Sequence, residues 1–404
     1  MYTFFVYINN NNFQHNSNIS RVANVIWRNA LISRAEISRH LDLYRSTVSN
    51  IITLLLEKNF VMETSIGNST KLGGRRPVAL ALNEIFGCVI GIEIQPEKFH
   101  IIVIDINNEV IMHKDGENPK LPFKETFDFI LQQVIPFIQN LKIPILAICV
   151  GLPGIINNKK NEIISSQPLQ LANFNFSKEI ATKYNIPVLV ENDARCCAWL
   201  DTTINRRESV KNFISLTSVY HEKQIEKESH IGIGIGIALV SQGKLHLGNN
   251  FTAGEYTSLS WRPKIPYQTG LPKEITEHLQ DNNEAFTTWL KDFFSTLTPI
   301  TSVFAPEKIF IHGNLVQKKS KILETIQESV PQFEAILKKT ECSLEFAAPD
   351  SFAIARGAAC YYLNKLFSIP NIEDYEGNFA VPNWDTAFQT VENAQKSSDY
   401  FLKN

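Results

Sequence analysis

Arg45-Ser46-Thr47, followed by Ser49-Asn50, sets a guanidinium, three hydroxyls and an amide at the start of an apolar-periodic segment. These are the groups that hydrogen-bond to base edges and phosphates in a DNA major groove. Further on, Gly73-Gly74-Arg75-Arg76-Pro77 combines two arginines with backbone-permissive glycines. Glycine lets a backbone come close to DNA, and paired arginines reach phosphates or a narrow minor groove. Each stretch alone also suits a blander role, a capped surface helix or a basic surface loop. Their order argues for DNA.

The flanking pattern supplies elements to hold these groups. Residues 19–32 carry Val22, Val25, Ile26 and Ala30 at helical spacing. Ser33 is a candidate N-cap, with Glu36 as its capping-box partner, for a short helix over 34–40. Leu41-Asp42-Leu43-Tyr44 is the turn. A third helix over 45–59 buries Val48, Ile51, Ile52, Leu55 and Leu56 and presents the polar face. Residues 60–63 and 77–82 are expected to pair as wing strands around the basic loop 66–76. Together these make a winged helix-turn-helix over 18–82, with Arg45, Ser46, Thr47, Ser49, Asn50, Arg75 and Arg76 as DNA contacts. Such a module reads a short half-site, so two copies are expected. No leucine heptad is visible, which leaves the dimer contact to the rest of the chain.

Residues 18–81 hold nine Lys/Arg against four Asp/Glu, whereas the whole chain of 404 residues has a net charge of −2. A basic front on an acidic body suits a DNA-binding module joined to a part that does not touch DNA. The length predicts two or three domains. No apolar run approaches the ~20 residues of a membrane span, and the start lacks a basic flank, so the cytoplasm is expected. The six cysteines form no Cys-x-x-Cys pair, and their spacing gives no zinc site. Asn-rich residues 1–17 are expected to be a flexible leader and residues 369–404, with Pro370 and Pro382, an irregular tail.

Between these ends the pattern alternates. Strands are expected at 89–92, 99–104, 110–112 and 144–150, the last running into Gly151-Leu152-Pro153-Gly154. Another at 186–190 runs into Glu191-Asn192-Asp193, followed by strands at 213–216, 230–240 and 308–312. Helices fall at 123–140 and 351–367, with Cys196-Cys197 inside a further helix from Ala194. Gly232, Gly234 and Gly236 could cradle phosphate or simply thin one face of a sheet. The alternation predicts α/β architecture with mixed sheets and a cleft between two lobes.

Over residues 18–368 the chain resembles the ROK family (repressors, open reading frames and kinases), in its repressor branch with the xylose and N-acetylglucosamine repressors. The motifs are the winged module ending in Gly-Gly-Arg-Arg-Pro, Gly151-Leu152-Pro153-Gly154, Glu191-Asn192-Asp193-Ala194, Gly232 to Gly236, and Ala253-Gly254-Glu255. The resemblance implies a two-lobed α/β sugar-kinase-like body (actin-like, ribonuclease-H-like) over 83–368 that binds effector and dimerises. It implies that Asn192, Asp193 and Glu255 bind sugar, Asp193 being the base in the family's kinases. An amide beside carboxylates suits a polyol, because one side donates and accepts while the other accepts. The implied function is a sugar-responsive DNA-binding regulator, a repressor of carbohydrate metabolism, with an operator and a sugar or sugar phosphate as partners. It would act as a homodimer or dimer of dimers, away from the membrane. A ROK-type kinase acting on a hexose or amino sugar is the alternative.

Two departures bear on chemistry. Where the kinases carry an Asp-x-Gly-Gly-Thr phosphate loop, this chain reads Glu93-Ile94-Gln95-Pro96-Glu97. Proline removes a backbone N–H and Glu97 repels a triphosphate, so neither ATP binding nor kinase activity is expected. The family's Gly-His and clustered cysteines after the glutamate are replaced by Tyr256-Thr257-Ser258, so zinc is not expected. Trp261 and Arg262 are candidates to shape the site instead.

Overall fold

The computed structural model describes residues 10–64, 78–208, 210–221, 232–263, 265, 268–369 and 384–403. It opens with α1 (Asn10–Arg28), β1 (Ile32–Ser33), α2 (Arg34–Leu41), α3 (Arg45–Glu57), β2 (Val61–Thr64) and β3 (Ala79–Leu82), the strands forming a sheet in the order β1-β3-β2. Ser33 caps α2 through the full capping box with Glu36. Asp42 ends α2 in the left-handed region at φ 51°, a conformation that a short polar side chain tolerates. β1 was not foreseen, since two residues carry no periodicity. Arg75, Arg76 and the wing tip lie outside the described residues.

The leader expectation needs correction, because α1 already begins at Asn10. Ile19, Val22, Ala23 and Ile26 are buried and anchor the helix. Once a helix is nucleated, each further residue costs little, even a poor helix former such as Asn.

The body starts with β4 (Cys88–Ile94), β5 (Lys98–Asp105), β6 (Val110–Glu117), α4 (Phe123–Gln132), α5 (Ile135–Leu141) and β7 (Ile145–Leu152). β8 (Ile155–Asn157), β9 (Glu162–Ser166), β10 (Leu171–Phe174), α6 (Phe176–Glu179), β11 (Val188–Asn192) and α7 (Asp193–Ile204) complete the first lobe. The second lobe holds β12 (Phe213–His221), β13 (Gly232–Ser241), β14 (Lys244–His246), α8 (Lys273–Thr276), α9 (Asn283–Phe304), β15 (Lys308–Ile311), α10 (Lys319–Ser329), α11 (Pro331–Lys339) and β16 (Ser343–Phe346). Then follow α12 (Ala353–Leu366) and α13 (Trp384–Ala394).

The two main sheets repeat one topology, β11-β7-β4-β5-β6 and β14-β13-β12-β15-β16. In each, three antiparallel strands are extended by two parallel ones. The central strands β4 and β7 are buried along their whole length, which is why they read as continuous apolar runs and not as alternation. One helix expected over 123–140 is two: Pro136 stands in the first turn of α5, and it cannot donate the bond that would continue α4.

The tail is not irregular throughout. In α13, Trp384, Ala387, Phe388 and Val391 are buried, a helical stripe at i, i+3, i+4 and i+7. Trp384 packs edge-on to Phe60 of the winged module at 5.0 Å and donates from Nε1 to Ser20 Oγ at 2.8 Å. Beyond α13, Phe401 is buried in the first-lobe core, and the Tyr400 hydroxyl bonds the Ile145 backbone. The winged module is thus built into the body. One apolar core runs from Ile19 through Phe60, Phe367 and Trp384 to Val391. No helix of the described residues is long and apolar enough to cross a membrane.

Candidate functional site

A cavity of about 530 Å³ opens between the lobes, lined by Gln95, Asn192 and Asp193 on one side and by Glu255, Trp261 and Gln268 on the other. That volume suits a small ligand. Asn192 ends β11 and caps α7, its Oδ1 accepting from Arg195 N at 3.0 Å. The cap is therefore Asn192, and Asp193 is the first residue of the helix. Asn192 Nδ2 donates to Gly154 O at 3.0 Å and to Asp193 Oδ1 at 2.9 Å, so the Gly-Leu-Pro-Gly loop helps to hold the pair. Asp193 Oδ1 also accepts from Ala194 N at 2.8 Å, and Oδ2 takes no hydrogen bond from the described residues.

Burial pushes the Asp193 carboxyl up to about 7, with the negative charges of Glu93 and Glu255 adding to the shift and the Ala194 amide opposing it. Asp193 keeps part of its surface open to the cleft, and protein crowding around it produces the shift. Burial likewise raises Glu255, with Arg195 acting against it. Glu255 reaches the cleft because its backbone bridges Gly236. Gly254, at φ 94°, allows this: a Cβ there would stand 1.7 Å from Ile237 O.

The glycines of β13 serve packing. A Cβ on Gly236 would stand 2.9 Å from Ala194 Cβ, so the bare strand lets α7 approach, while Ile233, Ile235 and Ile237 fill the second-lobe core. The place of the phosphate loop is a tight turn closed by Gln95 N to Lys98 O at 2.9 Å. Behind it, Glu93 is buried against His100 Nδ1 at 2.7 Å and Gln95 Nε2 at 2.9 Å.

Residues 89–259 match the family model described as the ROK family. The chain carries a ROK-family domain. It is 25% identical over 394 residues to the xylose repressor of Staphylococcus xylosus, covering 90% of this chain and 98% of that protein. A xylose repressor of Caldicellulosiruptor bescii is 31% identical over 251 residues, 60% of this chain and 59% of that protein. Among solved structures, a ROK family transcriptional regulator, homolog of E. coli MLC protein, aligns with a TM-score of 0.69 at 17% identity over 94% of this chain and 100% of that one. A ROK family glucokinase from Streptomyces griseus aligns with a TM-score of 0.51 at 17% identity over 68% of this chain and 98% of that one, so the fold is a two-lobed, sugar-kinase-like body with an N-terminal helical module.

Within the ROK cleft the structure brings Asn192, Asp193, Glu255 and Trp261 together. Arg262 is turned away, exposed and bonded to the Leu259 and Trp261 carbonyls. Sequence reasoning missed two supports. Gln268 holds β13 through both Ile235 N and Ile235 O at 2.7 Å; no local pattern marks it. Arg195 pairs with Glu191 at 2.9 Å, both buried; Glu191 stands in β11 and Arg195 in α7, so no helical spacing marked the pair.

The second candidate surface is α3. Arg45, Ser46 and Asn50 are exposed and Thr47 and Ser49 half-buried, opposite the buried Val48, Ile51, Ile52 and Leu55. The helix has no side-chain cap at its start, which leaves its first amides for a phosphate. Tyr44, at the N-cap and 85% exposed, joins this face; the turn preceding the helix was its only signal. Arg34 pairs with Glu63 at 2.8 Å and ties α2 to the wing.

Proposed function

We propose that this chain is a sugar-responsive transcriptional repressor that binds operator DNA through α3 and the wing arginines and takes an uncharged sugar in the ROK cleft. D-xylose is the first effector to test, because the similar proteins are named xylose repressors. It acts in the cytoplasm as a homodimer or a dimer of dimers, since one helix-turn-helix reads only a half-site. The observation that carries this reading is the continuous core joining the two parts. An exposed polar helix face at one end and a polar cleft at the other belong to one packed body. Asn192, Asp193 and Glu255 offer an amide and two carboxylates to sugar hydroxyls. Glu93 and Glu255 lie close enough to add to the burial that raises the Asp193 carboxyl, and the same field disfavours a phosphate dianion. Neither zinc nor ATP belongs to the reading.

Calorimetry with D-xylose, D-glucose and N-acetylglucosamine beside their phosphates tests the ligand class. Heat from a free sugar and none from its phosphate supports the reading; binding of phosphates alone refutes it. Transfer of phosphate to a hexose or amino sugar has one feature in its favour, a carboxyl at about 7 poised as a base. Gln95, Pro96 and the buried Glu93–His100 pair occupy the place of the phosphate loop and oppose it. Sugar-dependent ADP release that disappears in Asp193→Asn would establish it.

A further inference from the structure

We infer that Arg206 couples occupancy of the cleft to the winged module, as a positioning residue that touches neither sugar nor DNA; this rests on the sensor reading above. α7 starts at Asp193 in the cleft and runs for 12 residues, about 18 Å at 1.5 Å per residue. The turn after it sets Arg206 against α1. Arg206 Nε donates to Trp27 O at 3.1 Å, Nη2 to Asn107 O at 3.3 Å in the turn between β5 and β6, and Nη1 back to Thr203 O at 2.9 Å. One guanidinium thus bonds the winged module, the first lobe and the end of α7. It also lies 5.3 Å from the centre of the Trp27 ring, a cation–π contact.

The same tryptophan meets the second interlobe helix. Phe367, just past α12, stacks on Trp27 at 4.5 Å and 6°, and its carbonyl accepts from Asn24 Nδ2 at 2.9 Å. α7 and α12 are in backbone contact, because a Cβ on Gly357 would stand 2.0 Å from Cys196 O. Asn364 Nδ2 adds bonds to Trp199 O at 3.2 Å and Thr203 Oγ1 at 2.7 Å. α7 is also fixed to the second lobe: buried Asp201 accepts from Ser215 Oγ at 2.7 Å and lies 2.9 Å from His312 Nε2. A sugar that draws the lobes together at Asp193 and Glu255 therefore shifts a stiff helix pair, and both members of that pair end on Trp27. Coupling needs such a packed element whose position both sites bias, and Arg206 is its polar joint.

The test uses full-length protein, a labelled DNA fragment from upstream of its own gene, and D-xylose, D-glucose and N-acetylglucosamine as probes. Operator affinity is read with and without each sugar, and sugar affinity by calorimetry. In the wild type the effective sugar is expected to weaken operator binding about tenfold or more. Arg206→Ala is expected to keep sugar affinity within about twofold while the operator ratio falls below about threefold. Arg206→Lys, which keeps the charge and loses the fork, is expected to fall between. A merely structural role would not remove the ratio while leaving both affinities measurable. An Arg206→Ala ratio equal to wild type overturns the coupling role; if that variant shows no cooperative melt, a wild-type ratio in Arg206→Lys does the same. A wild-type protein that binds operator with a ratio of one for every sugar overturns the sensor reading, and this inference with it.

Discussion

Asp193 sits where the chemistry of the cleft converges, and its raised carboxyl gives it a measurable signature. Between the ordinary value of 3.8 and about 7, the folded protein holds a proton on Asp193 that the unfolded chain has lost. The contribution of Asp193 to stability therefore falls as pH rises through that window, by at most about 1.4 kcal/mol per pH unit. Denaturant unfolding at several pH values should show the stability of the wild type, relative to Asp193→Asn, falling through this window. The same substitution removes an acceptor for a sugar hydroxyl and is expected to weaken xylose binding by about 1.5–3 kcal/mol in calorimetry. Asn192 and Asp193 were legible as cleft residues from a compact motif at the end of β11, and Glu255 from Ala253-Gly254-Glu255 in the loop after β14. Arg206 and Trp27 were not, because their meeting depends on packing between segments far apart in the chain. The helix expected from Ala194 starts at Asp193 with Asn192 as its cap, as adjacent polar residues at a helix start cannot be told apart by pattern.

At the scale of elements, α3 and α13 carry the sharpest expectations. Arg45→Ala or Asn50→Ala should each cost about 1–3 kcal/mol of operator binding and relax the preference at one base position, as read by binding to a randomised site library. Arg75→Ala with Arg76→Ala should weaken binding to all sequences and flatten the dependence on salt. Trp384→Ala empties a buried slot between Phe60, Phe367 and Phe388, and should lower stability by about 3–5 kcal/mol in urea unfolding. The helix-turn-helix was legible to within two residues because its capping box and apolar stripe are local. α13 was not: its stripe is short, and the prolines and asparagines before it masked the period. The break between α4 and α5 was readable from Pro136 and was overlooked.

Over the whole molecule, mixed sheets and an interlobe cleft were expected from the alternating strands and helices, whereas the repeated strand order of the two sheets was not. Nor was the union of the winged module with the body. That union depends on aromatic residues at 27, 60, 367 and 384 converging in one core, and convergence of distant apolar residues leaves no sequence period. It makes the central claim simple: ligand at one end of a continuous packed body changes DNA binding at the other. The direct test is fluorescence anisotropy of the full-length protein on its own upstream DNA, at fixed salt, with and without saturating D-xylose or another sugar of the panel. The account predicts sequence-specific binding that one uncharged sugar weakens about tenfold or more. Specific binding left unchanged by every sugar, or no preference over random DNA, would contradict it.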